Sequence, residues 1–307
     1  MSIFKKNKIC ITHNGAFHPD DLFATATLSI LNDGYIKIIR TRDPQIFLKG
    51  DYVYDVGGVY DEVKNRFDHH QRGGAGIREN GIPYSSFGLV WKKYGEHICR
   101  DKEVAEYIDR KIVQPIDAKD NGMDISTPKF KNIEDYSVQD IVMSSYPTWK
   151  EDNTNIDKVF KEQVKKIISL LEREIKIARD DVVGKKIILD AYKKSEDKKI
   201  IIVEKNFPRY LMQNTLCDLE EPLYFVYPSL RGGKVMGWKT EALRKNSETM
   251  ESRKLFPESW RGLMQESGEL AEITGVSDAQ FCHRSGFFLT AGSREGAIAL
   301  AEKALLS

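Results

Sequence analysis

A cluster of ionisable side chains follows the first apolar run of the chain. The apolar run KICIT, a predicted strand, ends at Thr12. Four candidate metal ligands come within the next nine residues, and they are His13, His18, Asp20 and Asp21. The apolar residues of LFATATLSIL then recur at helical spacing, so the cluster lies where a strand leads into a helix. Imidazole and carboxylate groups in one such turn suit a divalent transition metal.

Helix capping is the alternative explanation of this first cluster. Asp20 or Asp21 would be the N-cap residue, and Pro19 would lie in the first helical turn. Capping accounts for one aspartate and for neither histidine. Taken alone, this stretch supports the metal hypothesis and the capping hypothesis about equally.

Further candidate ligands also follow predicted secondary-structure elements. Asp55 directly follows the alternating run DYVY. A group of three residues follows RF in the stretch YDEVKNRFDHHQ, and a pair of aspartates lies in PIDAKDNG. The pair follows a helix over 103–117 that we expect to stop near Pro115. These residues are Asp55; Asp68, His69 and His70; and Asp117 or Asp120. Two adjacent histidines beside an aspartate, together with the first cluster, make a metal site the better hypothesis.

The order of predicted elements indicates an α/β protein of two domains. Strands alternate with helices in the first half, which predicts a mostly parallel sheet in residues 1–155. Apolar residues at helical spacing predict a long amphipathic helix that Gly184 ends, and we assign 156–187 as a connector. Residues 188–307 read as a smaller α+β domain. In a parallel sheet, loops that follow neighbouring strands meet at one edge, which would gather the candidate ligands in one pocket.

Such a pocket would hold about three imidazoles and four or five carboxylates. Carboxylates at this density repel one another and raise one another's pKa unless cations neutralise them. Two divalent ions about 4 Å apart would do so and would bind a phosphodiester between them. The mixed histidine and aspartate ligands favour Mn²⁺ over Mg²⁺, with Mg²⁺ as the alternative.

The motifs resemble those of a known family. The sequence Asp68-His69-His70 is similar to the signature of the DHH phosphoesterase superfamily. The longer series THNGAFHPDD, DVGG, RFDHHQ and PIDAKDNG, with FCHRSGFFLTAGSREGA near the C-terminus, resembles the melanocyte-proliferating-gene-one branch. The resemblance covers nearly the whole chain. It implies a DHH-type N-terminal domain and a Mn²⁺-dependent phosphoesterase, in a branch with members that act as 3′–5′ exonucleases on RNA.

The resemblance also implies roles for single residues. It makes His13, His18 and Asp20 ligands and places Asp55 as a bridge between two metals. His69 becomes a ligand, while Asp68 and His70 orient it or contact the phosphate, so that Asp55, Asp68 and His70 form the catalytic set. The fourth motif supplies Asp117 or Asp120. The first motif departs from the superfamily pattern His-x-x-x-Asp-x-Asp, and the role of Asp21 stays open.

The second half of the chain contains a candidate substrate site. The tetrapeptide His283-Arg284-Ser285-Gly286 precedes a predicted strand, and a small turn with exposed N–H groups can bind an anion. Basic residues alternate with aromatic ones nearby, which would suit phosphates and stacked bases. The alternative is that the aromatic residues belong to the core and the basic residues to the surface. We assign substrate binding to His283, Arg284, Ser285 and Gly286.

Composition limits the classes of function. The chain of 307 residues has 47 Lys and Arg against 46 Asp and Glu, so nucleic-acid binding would depend on a local patch. The N-terminal stretch lacks the apolar segment of a signal peptide, no apolar run approaches a membrane span, and the four cysteines are scattered. We therefore expect a cytoplasmic protein with no membrane partner.

The leading hypothesis is a 3′–5′ exonuclease acting on single-stranded RNA or a short oligonucleotide. One alternative is a small-molecule phosphatase or pyrophosphatase, or a phosphodiesterase of linear or cyclic dinucleotides, with the same metal site. Another is a non-catalytic binding protein that keeps the metal for structure, in which case the site would be closed. RNA or DNA preference and oligomeric state stay open, with a homodimer as one option.

Overall fold

The chain folds into two compact units. The computed structural model describes residues 6–151 and 155–307, and contacts divide the chain into Met1–Arg179 and Asp180–Ser307. The predicted domain limits at 155 and 187 fall on either side of this division. Residues 152–154, just before the first limit, lie outside the described residues.

A five-stranded sheet forms the centre of the first unit. Its strands are β1 (Lys8–Thr12), β2 (Ile36–Arg40), β3 (Tyr52–Tyr54), β4 (Tyr60–Asp61) and β5 (Arg66–Phe67). They lie in the order β2-β1-β3-β5-β4, and every neighbouring pair is parallel except β4 and β5. The prediction of a mostly parallel sheet is confirmed. The loops after β1, β3 and β5 therefore leave the sheet at the same edge.

Helices in the first unit cover the sheet and carry part of the candidate site. They are α1 (Pro19–Leu31), α2 (Pro44–Phe47), α3 (Ser86–Cys99), α4 (Lys102–Ile108), α5 (Gln114–Asp120) and α6 (Val138–Met143). Helix α1 is almost wholly buried and packs against α3, with the rings of Phe23 and Phe87 5.2 Å apart. This burial fixes the position of the loop that precedes α1.

The predicted end of a helix near Pro115 is wrong. Helices α4 and α5 are joined by a π-helical turn over Asp109–Val113, and the helix continues through Pro115 to Asp120. Proline has no N–H to donate, and a change from α-helical to π-helical bonding shifts the hydrogen-bond pattern so that the proline can be accommodated. Asp117 and Asp120 consequently lie on a helix and not in a loop after one.

The predicted end of the long helix at Gly184 is also wrong. Helix α7 extends over Ile156–Lys194. A Cβ atom at Gly184 would lie 2.7 Å from Cδ2 of Leu211 and 3.2 Å from Cε1 of Phe207. The glycine therefore lies inside the helix, where it allows close packing against Leu211 and Phe207, and it does not form a left-handed helix end.

The second unit contains another five-stranded sheet with helices on both faces. Its strands are β6 (Ile200–Ile202), β7 (Tyr224–Arg231), β8 (Lys234–Ala242), β9 (Ala279–Cys282) and β10 (Phe288–Ala291), in the order β6-β7-β8-β10-β9. Only the pair β6 and β7 is parallel. The remaining helices are α8 (Arg209–Leu216), α9 (Glu269–Thr274) and α10 (Arg294–Leu306).

Two apolar clusters of the second unit lie on opposite faces of its sheet. One contains Leu289 and Ala291 with α10, and the other contains Phe225 and Tyr227 with α8. Strand β9 was not predicted from the sequence. Within the described parts of the chain, helices are all too short or too polar to cross a membrane.

Candidate metal centre

The loop between β1 and α1 places the first cluster. His18 takes the N-cap position of α1, and Pro19 is the first residue of the helix. Oδ1 of Asp21 accepts a hydrogen bond of 2.9 Å from the backbone N–H of His18, so Asp21 reaches back to the helix end in the manner of a capping box. The hypothesis that Asp20 or Asp21 is the N-cap residue is therefore wrong, because His18 takes that position and Asp21 is the third residue of the helix. Capping leaves His13 and Asp20 unexplained.

Two carboxylates of this cluster are buried without sufficient partners. Asp20 is fully buried, and neither of its side-chain oxygens accepts a hydrogen bond from the described residues. Oδ2 of Asp21 is likewise without a hydrogen bond there and lies 3.3 Å from Nε2 of His13. Burial, followed by the nearby charge of Asp55, raises the pKa of Asp20 well above its usual range and that of Asp21 to about 8. Unpartnered buried carboxylates are costly, and a bound cation would remove that cost.

Asp55 lies at the centre of the site. It directly follows β3 and has a left-handed backbone with φ of +56°, which begins the Val-Gly-Gly turn. Its Oδ2 lies 3.0 Å from Nε2 of His13, and its Oδ1 lies 3.5 Å from Nε2 of His69. Burial alone would raise the pKa of Asp55, but hydrogen bonds to these two histidines outweigh it and hold the pKa below its ordinary value.

Asp68 holds the next histidine and the glycine turn in place. Oδ1 of Asp68 accepts hydrogen bonds from the backbone N–H of His70 at 3.1 Å and from its Nδ1 at 2.8 Å. Oδ2 accepts a bond of 2.5 Å from the N–H of Gly58. Asp68 is buried, whereas 62% of the His70 side chain is exposed. Asp68 therefore acts on the site by orienting His70, whose pKa its hydrogen bond raises.

His69 connects Asp55 with the helix that ends at Asp120. Nε2 of His69 lies 3.2 Å from Oδ2 of Asp120. Burial lowers the pKa of His69, but the hydrogen bonds to Asp120 and Asp55 more than compensate and raise it to about 10. In the metal-free protein His69 therefore carries a proton that balances part of the negative charge.

The structure separates the two aspartates that the sequence left as alternatives. Oδ1 of Asp117 accepts hydrogen bonds from Oγ of Ser85 at 2.5 Å and from the N–H of Gly88 at 3.0 Å. Its Oδ2 lies 2.7 Å from Nη2 of Arg78. Burial raises the pKa of Asp117 to about 6 despite that arginine. The carboxylate of Asp117 is thus fully engaged by neighbouring residues of the protein. Asp120 is the aspartate that contacts His69.

The candidate ligands form three overlapping groups. In each group the ligand atoms lie within 4.8 Å of one another, a spacing that one metal ion could bridge. The groups are His13, His18 and Asp55; Asp55, His69 and His70; and His18, Asp20 and Asp120. Asp55 and His18 each belong to two groups, so the arrangement offers adjacent metal positions that share ligands. The orphaned oxygens of Asp20 fit this use.

A cavity of about 440 Å³ opens onto these groups. Its lining includes one residue that the sequence analysis did not consider, and the full set is His13, His18, Arg42, Asp55, Val56, Gly57, Gly58, Asp68, His70 and Asp120. Arg42 lies in the loop after β2. The sequence around it has no motif that indicates a functional site, and its position just after a strand is the only hint. A ligand could therefore reach the candidate metal positions from outside.

The predicted substrate residues form a tight turn in the second unit. The N–H of Gly286 donates to the carbonyl of His283 at 2.7 Å, and the N–H of Ser285 donates to Nδ1 of the same histidine at 3.1 Å. Arg284 and Ser285 are exposed. Gly286 has a φ of +65°, and a Cβ atom there would lie 3.0 Å from Cδ of Arg261. The glycine is thus needed for the turn and its packing.

Aromatic rings surround this turn. The ring of His283 lies 4.5 Å from that of Phe287 and 5.3 Å from that of Phe288. The guanidinium of Arg209 lies 5.0 Å from the ring centroid of Phe287, and Nζ of Lys239 lies 5.4 Å from that of Phe288. The aromatic residues are only partly buried, so they are not ordinary core residues.

Known proteins similar to this chain agree with the motif resemblance. The model of the family described as "Uncharacterised protein family (UPF0160)" matches residues 8–305. The chain belongs to this family. The MYG1 protein of Schizosaccharomyces pombe is 31% identical over 322 residues, which cover 96% of this chain and 96% of that protein.

Two further relatives show the same extent of similarity. The MYG1 protein of Chlamydia pneumoniae is 32% identical over 91% of this chain and 90% of its own length. A human relative named MYG1 exonuclease is 28% identical over 96% of this chain and 85% of its own length. The resemblance to the melanocyte-proliferating-gene-one family is thereby confirmed. Membership of the DHH superfamily stays a hypothesis.

Proposed function

We propose that this protein is a metal-dependent phosphodiester hydrolase of the DHH type that removes nucleotides from the 3′ end of RNA. The observation that carries the proposal is the set of three overlapping ligand groups, of which two share Asp55 and the third contains the fully buried and unpartnered carboxylate of Asp20. The names of the human and bovine relatives, both MYG1 exonuclease, support a nuclease. The direction of degradation and the preference for RNA rest on the family resemblance.

The proposed ligands are the members of the three ligand groups other than His70. Asp55 would bridge two Mn²⁺ ions, because its two oxygens face different histidines, His13 and His69. The complete proposed set is His13, His18, Asp20, Asp55, His69 and Asp120. Asp117 is left out, because its carboxylate is already engaged by Arg78 and two further donors. Asp21 would orient His13 and cap the N-terminus of α1.

Metal ions in this site would supply a water of lowered pKa and would neutralise negative charge on the reacting phosphate. The chain itself would position the reaction. His70 lines the cavity, and its Nδ1 is bonded to Asp68, which leaves Nε2 for the substrate. The hydrogen bond to Asp68 raises the pKa of His70, which favours the protonated form, and in that form Nε2 would donate to a phosphate oxygen.

The turn of the second unit would bind the substrate away from the reacting bond. Arg284 is exposed and would contact a phosphate, and the neighbouring N–H groups would add hydrogen bonds. The partly buried rings of Phe287 and Phe288 would support stacking of bases. Such contacts position a substrate and do not activate water.

A small phosphoester is the second candidate substrate. The cavity volume of about 440 Å³ lies in the lower part of the range of roughly 300–1,000 Å³ for small-molecule sites. A dinucleotide, a pyrophosphate or a small phosphate monoester would therefore also fit. A purely structural metal is disfavoured, because the cavity leaves the candidate ligands accessible.

A direct assay separates these functions. Purified protein is incubated with Mn²⁺ and a short RNA that carries different labels at its two ends, and in parallel with a linear dinucleotide and with pyrophosphate. The proposal expects stepwise shortening from the 3′ end that stops in chelator and in the variant Asp55→Asn. Consumption of only the small substrates would favour the second candidate. Metal-independent shortening would contradict the metal mechanism.

A further inference from the structure

The loop after β2 places one arginine on the wall of the cavity. The N–H of Thr41 donates to the carbonyl of Thr12 at 2.8 Å, which continues the pairing of β2 with β1. Two residues later, Asp43 caps α2 by accepting a bond of 2.9 Å from the N–H of Gln45. The backbone of Arg42 is therefore held on both sides, and its side chain lines the cavity.

The two arginines of this loop differ in what they bind. The side chain of Arg40 is buried, with 1% exposed, and its guanidinium already has partners within the protein. It donates hydrogen bonds to Oδ1 of Asp157 at 2.5 Å and to the carbonyl of Gly15 at 2.8 Å. Arg42 is exposed and makes no hydrogen bond or ion pair with any residue in the described ranges 6–151 and 155–307. Among the described residues that line the cavity, it is the only lysine or arginine.

The negative charge of the site indicates a role for the guanidinium of Arg42. Five carboxylates lie in or beneath the cavity, namely Asp20, Asp21, Asp55, Asp68 and Asp120. When all are ionised they carry five negative charges, against four positive charges of two divalent ions. Even with a proton on His70 the site has no excess of positive charge, so a phosphodiester, itself an anion, would be bound more strongly with a further cation close to the metal positions.

We propose that Arg42 binds the non-bridging oxygens of the substrate phosphate beside the metal ions. A guanidinium can donate two parallel hydrogen bonds to a phosphate, which fixes its orientation as well as its position. The inference rests on the proposed function, because it names a residue that recognises the phosphate in the same cavity. Arg42 contributes no metal ligand, so its effect is confined to phosphate binding.

The test measures phosphate binding without turnover. Inorganic phosphate is titrated into the Mn²⁺-loaded full-length protein, and binding is followed by paramagnetic broadening of the ³¹P resonance. Three variants are compared with the unchanged protein: Arg42→Ala, Arg42→Lys and Arg110→Ala. Arg110 is an exposed arginine of the same unit that does not line the cavity, so it controls for a general loss of positive charge. Mn²⁺ affinity is measured for each variant by electron paramagnetic resonance.

We expect Arg42→Ala to weaken phosphate binding by about ten- to a hundredfold, as for the loss of a charge-assisted contact, with Mn²⁺ affinity unchanged. Arg42→Lys should restore part of it, and Arg110→Ala should match the unchanged protein. Equal phosphate affinity in Arg42→Ala and Arg110→Ala would overturn the inference. If phosphate binding depends on Arg42 while no nucleic acid is hydrolysed, the exonuclease proposal fails and the role of Arg42 stands.

Discussion

The two candidate regions of this protein are built in opposite ways. The metal centre of the first unit gathers buried charges from four separate segments between residues 13 and 120, and the strand ends and helix ends hold each side chain. The turn over residues 283–288 is a single stretch between two antiparallel strands, with aromatic rings and one exposed arginine. Chemistry at a phosphate requires fixed charges, whereas recognition of a flexible chain needs only an accessible surface. Variants in the two regions should therefore fail in different assays.

The largest effect is expected from Asp55→Asn. Asparagine tolerates the left-handed backbone at this position, so the fold should persist. One bridging charge is lost, so Mn²⁺ affinity should fall by at least about a hundredfold, the upper limit for loss of a supporting residue. Hydrolysis should be abolished. Calorimetric Mn²⁺ titration and the RNA assay measure both, and wild-type Mn²⁺ affinity in this variant would remove Asp55 from the ligand set.

Most of this centre could be predicted because its residues lie at strand ends. A parallel sheet brings the loops after β1, β3 and β5 to one edge, so alternation and polar residues together were enough to group His13, Asp55 and His69. The helix through Pro115 could not be predicted, because the π-helical turn that accommodates the proline has no local signal. For the same reason the choice between Asp117 and Asp120 depended on coordinates.

The roles of Gly184 and Arg42 could not be predicted from the sequence either. Gly184 looked like a helix end, but the residue it contacts, Leu211, comes from a distant part of the sequence. Arg42 has no sequence pattern of its own, since exposed arginines are common and its place on the cavity wall distinguishes it from an exposed arginine such as Arg110. Long-range packing determines both roles.

A second prediction separates stability from metal binding on one helix. Asp117→Asn leaves the buried guanidinium of Arg78 without its closest partner, although Asp109 remains 3.2 Å away. We expect a loss of about 3 kcal/mol in the free energy of unfolding, the lower limit for a broken buried pair. Mn²⁺ affinity should change little. Chemical denaturation of the metal-free protein measures the first quantity.

Asp120→Asn is the matched variant. It should lower Mn²⁺ affinity and change the stability of the metal-free protein less than Asp117→Asn does, because the loss of the contact with His69 is offset by the removal of one carboxylate charge from beside Asp20. If Asp117→Asn instead loses Mn²⁺ and Asp120→Asn does not, the assignment of the two residues must be reversed.

A third prediction tests the other side of the comparison. Arg284→Ala should weaken binding of labelled RNA by about ten- to a hundredfold, as for a charge-assisted contact, without changing Mn²⁺ affinity. RNA affinity of the unchanged protein should fall as salt rises, and the variant should show a smaller slope. Fluorescence anisotropy at several salt concentrations measures both. Wild-type affinity and slope in the variant would show that this turn does not bind the substrate.

The last prediction is a pH dependence that belongs to the metal centre. The pKa of Asp21 is raised from 3.8 to about 8, chiefly by burial. The pKa of His69 is raised from 6.5 to about 10, because hydrogen bonds to Asp120 and Asp55 outweigh burial. In both cases the folded metal-free protein keeps protons that the unfolded chain releases. The stabilising contribution of His69 is complete below pH 6.5 and is lost towards pH 10, and Asp21 destabilises increasingly from pH 3.8 to 8.

Between pH 6.5 and 8 the two groups act in the same direction, so the metal-free protein should lose stability as pH rises, by up to about 1.4 kcal/mol per pH unit for each group. Bound Mn²⁺ should displace these protons and reverse the trend, because metal affinity increases when ligands deprotonate. Thermal unfolding at several pH values, with and without Mn²⁺, tests the stability. Titration of Mn²⁺ in two buffers of different ionisation enthalpy counts the protons released. A stability of the metal-free protein that does not change with pH, together with a binding enthalpy that does not depend on the buffer, would contradict this prediction. It would mean that the carboxylates and imidazoles of the first unit do not exchange protons for a cation, so that the two regions would not differ in their electrostatics.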